Sequence, residues 1–550
     1  MIRTVVRSLI GAGAALTVAA ATPEARFPMK GGDSRDWPVV LRAGQLTDIA
    51  VTQAGVDVSV EIFDPSGKLL DSVDSPNGRN GDEPVSILAA TSGTYRLRIA
   101  PIADDEPPGT VTIRTLALLT PAQTRAMLDN RRQARAEAAR WLRPFSAPLQ
   151  PAGLDPAVAI APLDRVASFA QVIGLGEATH GSRELNDFRV RLSERLISRD
   201  HFRLITIEDS STRWRRLEPY VSGVVAEPPL GAPLQWGWIG RRARYELLVA
   251  VRAWNLGHPG DRVRIVGVDP QDSLDAQREL SAFIAAAYGN AAADAWKPFA
   301  REFAEADEQT AVFGDSGVSS AAKAAVSQLL FRLEQDRELL AGRTPNIANA
   351  VMTARDLAQF ADFNGRGDEM SRSRDWYMAR NVLAAIADDP RHPKALYLGH
   401  NAHVAAARPS SSGGLLRGVL GCGYQAIGTT FGAGSFVAQL PNDPTDRLLV
   451  STLPDAAEGS IESSLALVAP GPSLAVWGCG AASSLPAWLR EAHPMHWIGG
   501  LYTPGSVPSA SYRPYVLTQS FDGIAYFPTV AAEAIPSDRP VIAARKRTQP

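Results

Sequence analysis

Four short apolar runs in this chain each stop at a side chain able to carry a proton or a charge. Val172-Ile173-Gly174-Leu175 gives way to Gly176-Glu177-Ala178-Thr179-His180-Gly181. Phe202-Arg203-Leu204-Ile205-Thr206-Ile207 stops at Glu208-Asp209-Ser210, and Val263-Arg264-Ile265-Val266-Gly267-Val268 stops at Asp269. Ala395-Leu396-Tyr397-Leu398 stops at Gly399-His400-Asn401-Ala402-His403. Runs of this length are buried strands, and the segments between them, such as Ser182 to Ile197, have helical character. Strands alternating with helices predict an α/β layer with a central sheet flanked by helices. Ligands of such sheets bind beyond the carboxyl ends of the strands. If the four runs share one sheet, their polar ends meet in one crevice. Three of the eight histidines fall at two of these ends, whereas His201, His258 and His392 precede strands, at the opposite edge. His493 and His496 are expected in a proline-flanked loop.

With 550 residues the chain is too long for one ordinary core and predicts a multidomain protein. Residues 28–118 carry period-two runs such as Val56-Asp57-Val58-Ser59-Val60-Glu61-Ile62 and Tyr95-Arg96-Leu97-Arg98-Ile99, separated by turns such as Asp64-Pro65-Ser66-Gly67. That pattern predicts a small antiparallel β-sandwich. The spacing of Leu41-Arg42-Ala43-Gly44-Gln45, Asp64-Pro65-Ser66-Gly67 and Ser92-Gly93-Thr94-Tyr95 resembles the bacterial pre-peptidase C-terminal module, which implies a spacer or binding role. A linking helix is expected within 119–150, and the α/β domain over 151–535. Residues 274–393, rich in Ala, Leu, Glu and Arg at helical spacing, read as a helical insertion roofing the pocket.

At the N-terminus, Arg3 and Arg7 precede the apolar stretch Leu9–Val18 and the small residues Ala19-Ala20-Ala21. This is the layout of an export signal over 1–21, too short for a bilayer span. An exported or periplasmic protein without a transmembrane anchor after signal removal is therefore expected. Lys+Arg number 56 against Asp+Glu 58, which gives no basic field for nucleic acid. The two cysteines, Cys422 and Cys479, are read either as a disulfide or as two buried thiols.

The residue types at the strand ends suit acid–base hydrolysis. A histidine held by a carboxylate takes a proton from water and returns it to a leaving group. His180 is the expected base, with Glu177 and Glu208 as its carboxylates. His400 could donate to an oxyanion or to the leaving alcohol. Arg189 could neutralise the glutamates or bind a carboxylate, and Asp269, His403 and Arg374 complete the expected binding set. Each residue also has a plainer reading. His180 could satisfy a turn, and Glu177 could cap the helix at Ser182 or pair with Arg189. Glu208 could be an ordinary strand-end charge, Asp269-Pro270 a common turn, and His403 a structural residue. No Gly-x-Ser-x-Gly, His-Glu-x-x-His, Walker or GxGxxG pattern occurs. No cofactor is needed, although a metal held by Glu177, His180, His400 and His403 stays an alternative.

Five ordered blocks resemble the erythromycin esterase family. They are Gly176-Glu177-Ala178-Thr179-His180-Gly181-Ser182-Arg183-Glu184 with Phe188-Arg189, Ile207-Glu208-Asp209-Ser210, Gly267-Val268-Asp269-Pro270-Gln271, Arg374-Asp375-Trp376-Tyr377-Met378-Ala379-Arg380-Asn381, and Gly399-His400-Asn401-Ala402-His403. Gly423-Tyr424-Gln425-Ala426-Ile427-Gly428-Thr429-Thr430-Phe431 resembles a late strand of the same family. The resemblance implies an α/β fold with a helical insertion and hydrolysis of macrolide lactones without a covalent intermediate or an obligatory metal. It implies His180 as the base, Glu177 and Glu208 in support, Arg189 in the polar cluster and His400 on the opposite wall. The extra N-terminal sandwich suggests a divergent exported branch acting on another small ester or lactone. A metal-dependent hydrolase and a catalytically idle envelope binding protein remain the alternative functions.

Overall fold

The computed structural model of the protein describes residues 24–535 apart from 76, 150–159, 229–239, 272, 311–317, 342–345, 364–369, 442–446, 481–484 and 507. The expected export signal over 1–21 lies outside the described residues. The chain divides into two compact units. One comprises 1–138 with 486–494 and 505–514, the other 139–485 with 495–504 and 515–550.

The first unit is built on eight strands: β1 (Ala25–Met29), β2 (Arg35–Leu41), β3 (Leu46–Ala54), β4 (Val58–Phe63), β5 (Leu69–Val73), β6 (Asn80–Leu88), β7 (Gly93–Pro101) and β8 (Gly109–Leu119). They form two antiparallel sheets, ordered β1-β8-β3-β6 and β2-β7-β4-β5. The alternation read from the sequence is the burial pattern. Along β4, Val58, Val60 and Ile62 are buried while their neighbours are half exposed. These side chains meet Ile49, Val51, Leu97 and Ile99 in one core drawn from both sheets, as the period-two pattern requires. A 22-residue helix, Pro121–Leu142, follows β8.

The second unit holds a nine-stranded sheet made of β9 (Ser146–Pro148), β10 (Val172–Glu177), β11 (Phe202–Ser210), β12 (Arg264–Asp269), β13 (Lys394–His400), β14 (Tyr424–Gln439), β15 (Leu448–Leu453), β16 (Ser473–Val476) and β19 (Gly523–Val530). Its order is β12-β11-β13-β10-β14-β19-β16-β9, with β15 on the far end of β14. From β12 to β19 every neighbour is parallel, whereas β16 and β9 run antiparallel. The inner strands are apolar throughout, since helices cover both faces of a parallel sheet. β13 lies between β10 and β11, so the four apolar runs are adjacent and point the same way. Their C-terminal ends form one edge.

Between β12 and β13 the helices Leu274–Tyr288, Asn290–Thr310, Ser320–Gln335, Ile347–Phe363 and Met370–Ala387 build a second apolar core around Phe303, Phe360 and Phe363. Cys422 and Cys479 form a disulfide across 57 residues, which decides between the two readings of these cysteines. β17 (His493–His496) and β18 (Tyr512–Tyr515) pair as a separate ribbon. The expected loop around His493 and His496 is thus a strand. Each strand of a two-stranded ribbon is an edge strand, the setting in which a proline such as Pro494 is accommodated. Among the described residues no helix is long and apolar enough to cross a membrane.

Candidate active site

Glu177 ends β10 and His400 ends β13, and the two are register partners. Their approach depends on small residues. A Cβ on Gly176 would collide with the Asn401 carboxamide, and one on Gly181 would enter the backbone of Val437. Asn401 in turn bridges to β14, giving its Nδ2–H to the carbonyl of Thr429 (2.7 Å) and accepting from that residue's N–H. The Thr429 hydroxyl accepts from the N–H of Ala178 (3.2 Å). The His180 loop is therefore tied to two neighbouring strands by atoms that leave no room for larger residues.

Within this frame Glu177 is buried between the His180 ring and the Arg189 guanidinium. Its Oε1 lies 2.6 Å from His180 Nδ1, and its Oε2 accepts from Arg189 Nη1. Burial by itself raises a carboxyl, but Arg189 and His180 outweigh it and hold Glu177 at about 2. An ionised Glu177 can only accept, so Nδ1 carries a hydrogen, and in the neutral ring Nε2 holds the lone pair. The His180 side chain is 25% exposed, against 9% for Glu177. Of the pair, it is the imidazole that solvent reaches.

A second cluster stands beside it. Glu208 Oε2 accepts from the backbone N–H of His400 (2.7 Å), and its Oε1 meets Arg374 Nη2 (2.9 Å) and His403 Nε2 (3.3 Å). Arg374 also clasps Asp269 through Nε (3.0 Å) and Nη2 (2.6 Å). His403 donates from Nδ1 to Asp375 (2.8 Å), which takes two further bonds from Ser412. Burial disfavours a charged His403, yet Glu208 and Asp375 push it up to about 10. The ring is therefore an imidazolium at neutral pH with both N–H groups on carboxylates. Arg374 Nη1, 3.3 Å from His403 Nε2, is then a neighbour and not a donor. Burial raises Glu208 too, but His403 and Arg374 hold it well below the usual carboxylate range.

His400 is the opposite case. It is 3% exposed, and burial, with His180 and His403 beside it, lowers it to about 4. Its Nδ1 accepts from the N–H of Ala402 (3.2 Å), and its Nε2–H points at the carbonyls of Ile498 (3.2 Å) and Ala178 (3.4 Å). The ring is neutral with both nitrogens occupied. His180 and His400 stand 5.4 Å apart between ring centroids.

All eight residues singled out in the sequence thus fall at the edge formed by the four strand ends or on the helices against it. The arrangement differs from expectation in two respects. Glu208 bonds His400 and His403, not the His180 ring. Asp269, Arg374 and His403, expected to bind substrate, are bonded among themselves and to Glu208 and Asp375, whereas Arg189 neutralises Glu177, one of its two expected roles. Sequence reading missed Asp375, Asn401, Thr429 and Ile498. Asp375 was legible within the quoted block around Arg374, whereas the backbone carbonyl of Ile498 has no sequence signal. Among the described residues no group of three or more His, Cys, Asp and Glu side chains is arranged to hold a metal ion. A separate cleft of about 490 Å³ lies over the free edge of β12, lined by residues that include Ser211, Arg215, Asp356 and Asn381 and none of these eight.

Residues 197–530 match the sequence pattern of the erythromycin esterase family; the match begins beyond Glu177, His180 and Arg189 and takes in the other five. No curated protein sequence matches the chain. Among solved structures, a Bacillus cereus protein aligns at TM-score 0.57 and 19% identity, over 73% of this chain and 99% of its own. A succinoglycan biosynthesis protein aligns at TM-score 0.59 and 18% identity, over 74% and 99%. An erythromycin esterase variant in an open conformation aligns at TM-score 0.47 and 17% identity, over 68% and 94%. The first two show a shared fold, and the matched pattern spans more than half of the sequence. The chain belongs to the erythromycin esterase family of hydrolases.

Proposed function

We propose that the protein is an exported hydrolase that cleaves an ester or lactone, a macrolide ring among the candidates, with water activated at His180. The observation that carries this reading is the Glu177–His180 pair: an ionised, buried carboxylate on Nδ1 of a ring that solvent reaches. In this reading Nε2 takes a proton from water as its oxygen attacks the carbonyl carbon. The C–O bond to the alcohol then breaks, and His180 returns the proton to the leaving oxygen. No covalent intermediate is required. Arg189 keeps Glu177 ionised. His400, neutral and bonded on both sides, belongs to the wall of the site and not to its proton traffic. Export is supported by the Arg3/Arg7 and Leu9–Val18 pattern together with the Cys422–Cys479 disulfide, which persists in oxidising compartments.

The test is hydrolysis of a panel of macrolides and simple esters by the purified chain, beside His180→Ala, with and without EDTA. Turnover that His180→Ala abolishes and EDTA spares supports the reading. Loss with EDTA moves the same residues into metal-assisted chemistry. Absence of turnover on every ester overturns the hydrolytic assignment in favour of ligand binding.

A further inference from the structure

One wall of the site comes from a segment remote in sequence, residues 495–502. Its main chain is fastened on both sides of the histidine pair. The N–H of Ile498 donates to the carbonyl of Ala178 (2.9 Å), and the carbonyl of Ile498 accepts from His400 Nε2. Further along, the N–H of Gln439 donates to the Gly500 carbonyl (2.8 Å), and that of Tyr502 to the Gln439 carbonyl (3.0 Å). At its start a fully buried carboxylate, Glu462, accepts from the N–H of His496 (2.9 Å) and from the Thr430 hydroxyl (2.5 Å). A buried side chain committed to this N–H and one hydroxyl ties the start of the segment to β14.

Between those anchors the segment presents Trp497, half buried, its ring edge-on to His400 with centroids 5.5 Å apart at 89°. Gly499 and Gly500 follow, also half buried. A Cβ on Gly500 would lie 3.7 Å from Cδ2 of His180, so the wall next to that ring is bare backbone. Past the buried Ile498, these two residues without side chains leave space beside the His180 ring, and the Trp497 indole stands against His400 next to it.

Resting on the hydrolytic reading above, we propose that Trp497 is a specificity-determining residue, selecting esters that carry an apolar ring next to the scissile bond. The indole supplies large contact area at little loss of side-chain freedom, and the glycines admit the ring beside His180.

The test compares wild type, Trp497→Leu and Trp497→Phe on two esters, 1-naphthyl acetate and ethyl acetate. Binding of intact 1-naphthyl acetate is measured in parallel by calorimetry in a His180→Ala background. Trp497→Leu should lower the ratio of kcat/KM for the naphthyl ester to that for the ethyl ester about ten-fold and raise the naphthyl Kd about ten-fold, with Trp497→Phe recovering most of both. An unchanged ratio with equal loss on both esters would reduce Trp497 to a structural residue. A naphthyl Kd that Trp497→Leu leaves within about two-fold, or no naphthyl binding to His180→Ala, also overturns the proposal. Absence of turnover with the Kd shift intact would sink the hydrolytic reading and leave the ring-selecting wall standing.

Discussion

Glu177 stands opposite His400 across the parallel pair β10–β13, and both are shifted downward, which leaves the carboxyl charged and the imidazole neutral. Glu177 is held at about 2 although burial opposes it, because Arg189 and His180 are beside it. His400 is lowered to about 4, chiefly by burial. One strand end therefore holds a fixed negative charge and its partner none.

Removing Arg189 should show what keeps Glu177 ionised. In Arg189→Met the buried carboxylate loses its strongest positive neighbour, and a destabilisation of about 3 kcal/mol is expected from chemical denaturation. Hydrolysis should also fail at a higher pH on the acid side than in wild type. An unmoved acid limb would show that Arg189 does not hold the Glu177 charge.

Glu177→Gln should separate holding from catalysis. The amide still reaches His180 Nδ1 but no longer stabilises a charged ring, so kcat should fall by about a hundredfold or more while KM changes little. Steady-state kinetics on any ester that wild type turns over reads this directly. A change confined to KM would place Glu177 in binding.

The two buried histidines predict opposite pH sensitivities. His400 has its ordinary value of 6.5 lowered to about 4, so its contribution is complete above pH 6.5 and is lost as pH falls through 4. His403 is raised to about 10, so its contribution is complete below 6.5 and is lost as pH rises through 10. Asp375→Asn removes one of the two carboxylates that hold the His403 charge. Thermal melts across this range should show the alkaline loss shrinking in the variant and the acid loss unchanged.

Reduction of the Cys422–Cys479 disulfide frees a loop of 57 residues that includes β14, β15 and β16. Paired serine substitutions should destabilise the chain by about 4 kcal/mol in the loop-entropy account. Melting with and without reductant checks this, and an equal melting temperature would mean that the sheet restrains the same loop unaided.

The parallel sheet and the meeting of four strand ends were legible because both rest on local signals: an apolar run, then a break bearing Glu, Asp or His. The order of the strands was not. Nothing local to Ala395-Leu396-Tyr397-Leu398 says that it enters between β10 and β11. The partners of Glu208 followed from that placement, since a strand end bonds whatever the neighbouring strand brings. His400 was read as a donor because its type permits it. Its burial depends on Ile498, nearly a hundred residues later, which a pattern search for chemical side chains passes over.

The position of β13 also bears on how the site comes into being. β10 and β11 leave the ribosome close together, yet neither is the other's neighbour; the strand that joins them follows nearly two hundred residues later, after the helical core of 274–363. Until then Glu177 and Glu208 have no shared edge and Arg374, His400 and His403 do not yet exist. Closing so long a loop before any parallel pairing rewards it is slow. The insertion, with an apolar core of its own, shortens the distance by collapsing first. Its stability should therefore govern the rate at which activity is regained on refolding, even though only its last helix reaches the site.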